Sequence, residues 1–362
     1  MFNRDRNDSP LSIHDATLSK RDASFLHRLG ASSICYTAFN ALIRQYGQRP
    51  CQKLCTRHEW RTLSDGQKAE YIGAVRCLQT KPAIAPVFPE AVTRFDEFQA
   101  YHLQQGDFIH HVGQFLPWHR YWLQLYEKAL RDECGYQGRN PYWDWTIDSD
   151  SSTSIRGSPV FDPYTGFGGD GVPGTYTLPP CIPPDQLVFP DKWRGCIADG
   201  PFANYTVRLG PGKLHTTHCV VRQIDDAYAV YLDSPAIGRL MASPTFEVFR
   251  YELEGMPETT DHRVHDGGHL SVGGEMSNQY SSGSDPLFYL HHANLDRIWW
   301  NWQQHDPSNR LYQIGGHTSF GAPPFTNVSL DFPLEMSSSI GPTISIWQTM
   351  NIHSEHNCYT YV

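Results

Sequence analysis

The chain has 362 residues, and 29 Lys and Arg against 38 Asp and Glu leave a formal charge of −9. That balance argues against a phosphate-tracking surface, so nucleic acid is not an expected partner. Hydrophobic residues make up 40%; with glycine the share is about 48%, the usual level for a folded domain, which excludes disorder over the whole chain.

In chain order, residues 1–22 are polar and read as an N-terminal arm. No linker interrupts residues 23–362, which read as one domain. Ser64 with Gln67 has the pattern of a capping box, opening a helix that runs to about Leu78 and stops before Lys81-Pro82. Pro117 marks the first turn of a second helix reaching about Arg131, since Trp118, Trp122, Leu125, Ala129 and Leu130 recur at helical spacing. From Ser149 to Gly212 the density of Gly and Pro predicts loops. A third helix is expected from Ser243-Pro244 to Gly255, and a fourth from Ser284-Asp285-Pro286 to about Gln304. No apolar run reaches the ~18 residues of a membrane span.

Nine cysteines include no CxxC pair, so neither a zinc ribbon nor a thioredoxin motif is suggested. N-glycosylation sequons stand at Asn7, Asn204 and Asn327, the first weakened by Pro10. Cysteines and sequons together lean towards a secretory compartment. Met1 to Lys20 holds no apolar segment of a signal peptide. The expectation is a secreted protein whose leader has been removed, with an intracellular or vesicular location as the alternative.

Histidine is the outlier, with 18 residues in the chain. One cluster holds His102, the doublet His110-His111 and His119; the other holds His265, His269 and the doublet His291-His292. His265 and His269 are four apart and share one face if helical, a spacing that grips one metal. Gly267 and Gly268 lie between them and cost a helix roughly 1 kcal/mol each, so a neighbour must need that backbone close. Pro117 separates His110 from His119 by starting a new helix. Asp296 lies one turn beyond His292, where a carboxylate can fix an imidazole tautomer. A zinc protease would need Glu after His265, where Asp266 stands. A non-heme iron triad needs a carboxylate ligand; two sets of three imidazoles suit a pair of copper ions instead. The remaining histidines read as ordinary surface or core residues.

At these residues the chain resembles the type-3 copper family of tyrosinases, catechol oxidases and hemocyanins, and is most similar to the short fungal polyphenol oxidases. The first copper motif is matched by His102-x7-His110-x8-His119-Arg120, with Phe115 four residues before the third histidine. The second is matched by His265-x3-His269 and by Asp285-Pro286-Leu287-Phe288-Tyr289-Leu290-His291-His292-Ala293-Asn294-Leu295-Asp296-Arg297. Pro141-Tyr142-Trp143-Asp144-Trp145, the stretch from Gly200 to Thr206 and the terminal Tyr359-Thr360-Tyr361 also match. The resemblance implies His102, His110, His119, His265, His269 and His292 as ligands of two copper ions, supported by Phe115 and Asp296. It implies a mainly α fold: a central four-helix bundle carrying the dinuclear site, long irregular loops and few short strands.

The resemblance further implies an oxidase that takes O2 and a small phenol and turns o-diphenols into o-quinones; tyrosinases also hydroxylate monophenols. A hemocyanin-like oxygen carrier and an oxidase dedicated to one secondary metabolite are the alternatives. A phenol with pKa near ~10 is mostly protonated at neutral pH, so hydroxylation needs a general base. Glu254 matches the family's water-holding glutamate, and Asp266 stands where monophenol-active members often carry Asn, so both are expected to act in catalysis. Leu270, Gln279 at the gate position and Phe288 are the expected substrate-facing residues. Gln279 implies a polar, flexible gate. Phe108 replaces the cysteine that forms a thioether crosslink in many fungal relatives, so no crosslink is expected. The family's C-terminal lid is absent from this sequence, which implies an accessible site. Cys51 or Cys55 with Cys77 is the expected disulfide, and a monomer or weak dimer the expected assembly.

Overall fold

The structure is a computed structural model, and it describes residues 49–362. The arm expected over 1–22, the Asn7 sequon and Cys35 lie outside the described residues. Residues 50–362 form one compact unit.

Seven helices organise the site. Helix α1, Asp65–Leu78, begins with the capping box expected at Ser64 and Gln67: each side chain bonds the other's backbone N–H, at 3.3 and 2.9 Å. Helix α2, Arg94–Ile109, is opened by a second capping box between Thr93 and Asp96, both bonds 3.0 Å. Helix α3, Phe115–Cys134, starts two residues before Pro117 and ends at Gly135, whose φ of 72° supplies the left-handed cap that glycine favours. Helix α4 is Ser234–Met241 and α5 is Phe246–Glu254. The cap of α5 is Thr245, whose hydroxyl accepts from the Val248 N–H, so this helix begins later than Ser243-Pro244. Helix α6 is Val264–Val272 and α7 is Leu287–His305.

Helices α2, α3, α6 and α7 form the central bundle, with α3 packed against α7 and α2, and α6 against α7. The core between them is dense in aromatic rings, including fully buried Trp122, Phe288, Tyr289 and Trp299. Among the described residues the strands are two or three residues long and pair only in twos. Strand β1, Cys55–Arg57, runs parallel to the last strand, β2, Tyr359–Tyr361. Ser149 to Gly212 holds only single-turn helices and two-residue strands, as its composition predicts. No described helix is long and apolar enough to cross a membrane.

The disulfides correct the expected pairing. Cys77 bonds Cys134, tying the C-terminal ends of α1 and α3, and Cys51 bonds Cys358. A third bridge joins Cys196 to Cys219, while Cys55 and Cys181 are free thiols. Asn204 and Asn327 are both exposed, as a glycan would require.

Candidate dinuclear metal centre

Helix α2 carries His102, and its C-terminal cap is His110; α3 carries His119, α6 carries His265 and His269, and α7 carries His292. The imidazole nitrogens of His102, His110 and His119 converge within 4.8 Å of one another, and so do those of His265, His269 and His292. The two triplets face each other: the His119 and His292 rings stack at 4.5 Å between centroids, and the His110 and His265 rings at 6.3 Å. Phe115 sits between the sets, its ring 4.7 Å from His119 and 4.8 Å from His265.

Backbone carbonyls aim three of these rings. His110 Nδ1–H donates to Gly106 O at 2.9 Å, His119 Nδ1–H to Phe115 O at 2.9 Å, and His265 Nδ1–H to Glu254 O at 3.2 Å. Gly106 and Glu254 lie in the last turns of α2 and α5, where helix carbonyls lack intrahelical partners. A carbonyl only accepts, so each Nδ1 holds the proton and each Nε2 keeps its lone pair. The Nε2 atoms of His119 and His265 are buried without any hydrogen-bond partner. Burial pushes His102 down to about 3, and burial first, then neighbouring imidazoles, hold the other five well below the ordinary range. Six neutral imidazoles converging in threes, with His102, His119 and His265 Nε2 left without a partner, are the state that binds a metal, so the donor set fits two copper ions.

Several predicted residues sit elsewhere than expected. Asp296 does not reach His292. Its carboxylate accepts from Arg120 Nε and from the hydroxyls of Tyr359 and Tyr361, and Arg57 lies 3.4 Å away. It pairs with two buried guanidiniums, of which Arg57 also bonds Glu127 at 3.0 Å, and anchors the terminal tyrosine motif. Phe288 does not line the cavity; its fully buried ring packs 4.2 Å from His292 and 4.9 Å from His102, as a floor under the imidazoles. Leu270 and Gln279 do line the cavity. Gln279 is tethered rather than free, its Nε2–H donating to Gly106 O at 3.1 Å.

Glu254 is fully buried, accepting from Arg250 at 2.6 Å and from the His111 N–H. Burial, opposed by Arg250 and the His111 N–H, raises it to about 7. Glu254, Glu258 and His111 cluster closely, but the Arg250 guanidinium already fills the space between the two carboxylates. Asp266 caps α6, accepting from the backbone N–H of Arg263 at 2.6 Å and bonding His262 Nδ1 at 2.6 Å.

His291, the other half of its doublet, has a positioning task that no local pattern announces. Its Nδ1 accepts from the Trp145 indole N–H at 3.2 Å, and its Nε2–H donates to His265 O at 3.1 Å. This ring is why Gly268 is needed: a Cβ there would lie 2.2 Å from His291 Cε1. Gly267 likewise meets the Tyr231 side chain, at 2.9 Å.

Beside the centre opens a cavity of about 550 Å³, lined by His110, His265 and His269 at its base and by Leu187, Phe189, Met256 and Phe320 at its mouth.

Comparison with known proteins matches residues 92–305 to the common central domain of tyrosinase. Over 283 residues the chain is 39% identical to the tyrosinase-like protein phomQ1 of Diaporthe leptostromiformis, covering 74% of this chain and 66% of that protein. It is 32% identical over 371 residues to the N-acetyl-6-hydroxytryptophan oxidase ivoB of Emericella nidulans, covering 93% of this chain and 100% of that one. A variant of the polyphenol oxidase of Thermothelomyces thermophila superposes with a TM-score of 0.76 at 32% identity, over 94% of this chain and 95% of that one. A tyrosinase of Burkholderia thailandensis, 17% identical over 85% of this chain and 74% of that one, shares the fold with a TM-score of 0.53.

Proposed function

Because the chain belongs to the tyrosinase family and is a dicopper oxidase, we propose that it oxidises o-diphenols to o-quinones with O2. His102, His110 and His119 hold one copper, and His265, His269 and His292 the other. The observation that carries this reading is the pair of facing imidazole triplets, three of whose rings are aimed by Nδ1–H bonds to carbonyls, beside an open cavity. The copper pair, when bound, supplies the exchange of electrons between O2 and the diphenol.

The chain's own residues orient the ring. A phenol entering the cavity meets Leu270 and the His265 and His269 edges, while the buried Phe288 packs under the imidazoles and Phe115 between the two sets. Each diphenol gives up two protons and two electrons and leaves as the quinone, so that two diphenols together reduce one O2 to two waters. Hydroxylating a monophenol requires a proton acceptor within reach of the substrate oxygen. Glu254 and Asp266 are both engaged, by Arg250 and the His111 N–H and by His262 and the Arg263 N–H. This favours diphenol oxidation, with Glu254 and Asp266 as positioning residues that brace the turn between α5 and α6.

The test is oxygen uptake by the copper-loaded protein with catechol, read alongside quinone absorbance. Two coppers per chain without oxygen consumption would sink the proposal, and reversible oxygen absorbance without turnover would favour a carrier instead.

A further inference from the structure

The cavity is far larger than the ring the chemistry requires. A single benzene ring is held by a cavity of about 150 Å³, whereas this one encloses about 550 Å³. Four large apolar side chains of its lining, Leu187, Phe189, Met256 and Phe320, are each 40–50% exposed and stand at its mouth. Large apolar groups left in water around one opening mark a surface that is covered when the site is filled.

The backbone presents one of them, Leu187, at some strain. Leu187 has φ +52°, the left-handed region, where a branched side chain is an outlier. Such conformations persist only where the surroundings over-determine them, and they gather at binding sites. Here the restraint is Asn278, buried beside Gln279. Its Nδ2 donates to Gln186 O at 2.7 Å and Leu187 O at 2.9 Å, while its Oδ1 accepts from the N–H of Tyr280 at 2.9 Å and of Ser281 at 3.1 Å. One amide thus pins the loop bearing Leu187 and Phe189 to the segment bearing Gln279. On the opposite wall the Phe320 ring rests 5.0 Å from His111.

The charges point the same way. No Lys or Arg lines the cavity, and its two carboxylates are Asp107, bonded to Lys213 and Tyr280, and Asp266, bonded to His262. An anionic substituent would meet no lysine or arginine, and the lining His262 is already engaged by Asp266.

We propose that Leu187, Phe189, Met256 and Phe320 form a specificity-determining rim that selects phenols whose ring carries an uncharged apolar substituent about the size of a second ring. The proposal rests on the reading of the chain as an oxidase of diphenols. Asn278 is its positioning residue.

The experiment uses copper-loaded protein and 3,4-dihydroxycinnamic acid, its methyl ester and its 2-phenylethyl ester, which present the same reacting ring. We expect kcat/KM for the phenylethyl ester to exceed that for the methyl ester by about tenfold, with the ionised acid poorest. The double variant Leu187→Ala with Phe189→Ala should cut the phenylethyl-to-methyl ratio by about the same factor. Tyr164→Ser, at an exposed side chain outside the cavity, should leave that ratio in place. Equal kcat/KM for the two esters, or a ratio unmoved in the double variant, overturns the rim. Affinities of the same three compounds, measured by calorimetry under nitrogen, should rank in the same order. Without turnover on any of them the oxidase reading falls, and the binding order alone then upholds or overturns the rim.

Discussion

Replacing Gly268 by alanine sets two effects against each other. In an isolated helix the change would stabilise by about 1 kcal/mol, because alanine loses less backbone freedom. In α6 the new methyl would lie 2.2 Å from His291 Cε1 and 2.7 Å from Nδ1. That ring cannot step aside freely, since it is fully buried and bonded at both nitrogens, to Trp145 and to His265 O. Overpacking of this kind costs about 1–3 kcal/mol, and each broken hydrogen bond about 1 kcal/mol more. Against the helical gain, the net expectation is a loss of about 1–3 kcal/mol. At about 2.1 cal/mol/K of unfolding entropy per residue, a chain of this size loses about 1.5 °C per kcal/mol, a fall in Tm of roughly 2–5 °C. His265 and His269 ride on the same helix, so copper per chain should fall as well. Thermal melts with and without copper, paired with metal analysis, read both. Gly238→Ala is the control: that helical glycine has nothing within 4 Å of its added methyl, so stability should rise by up to about 1 kcal/mol. A Gly268→Ala protein as stable as the parent with full copper would refute the packing argument.

Asp296→Asn should cost about 3–5 kcal/mol in urea unfolding, because buried Arg120 loses the carboxylate it bonds, while Arg57 keeps Glu127; a loss under about 1 kcal/mol would contradict that role. Glu254→Gln should lower monophenol and diphenol rates by factors within about twofold of each other, the mark of a structural brace; selective loss of the monophenol reaction would restore the catalytic base. His218 sits 2.5 Å from the buried Glu275 carboxylate, and although burial pulls its pKa down, Glu275 raises it above the ordinary value. A raised folded value means a contribution that is full below about pH 6.5 and fades as pH climbs through the raised value. His218→Gln should therefore destabilise by about 1–3 kcal/mol at pH 5.5 and by less at pH 9 in parallel unfolding curves; a pH-independent loss would show that the pair is not charged.

The histidine pattern is legible in the sequence because metal ligands are few in type and fixed in spacing, and Pro117 reveals the break between His110 and His119. Helix α2 escapes such a reading, although it bears His102. Its buried face carries Arg94, Asp96, Glu97 and Gln99, which partner distant residues and blur the apolar period. Asp296 is misplaced beside His292 for a related reason. One turn along a helix is the local choice, whereas its partners, Arg57, Arg120 and the terminal tyrosines, arrive from far along the chain. The disulfide from Cys77 to Cys134 depends on where α1 and α3 end side by side, which no spacing rule contains. The glycines between His265 and His269 signal a close neighbour correctly, but only the fold names it as His291.

The parallel ribbon of β1 and β2 is bracketed by the bridge from Cys51 to Cys358. Mechanical load applied across those two cysteines is therefore borne by a covalent link, not by the backbone hydrogen bonds of the ribbon. An optical tweezer holding the protein there should find almost no extension until a reductant is added. While the bridge is intact, the copper-bearing bundle sits inside a closed loop of chain, shielded from tension that reaches it along the backbone.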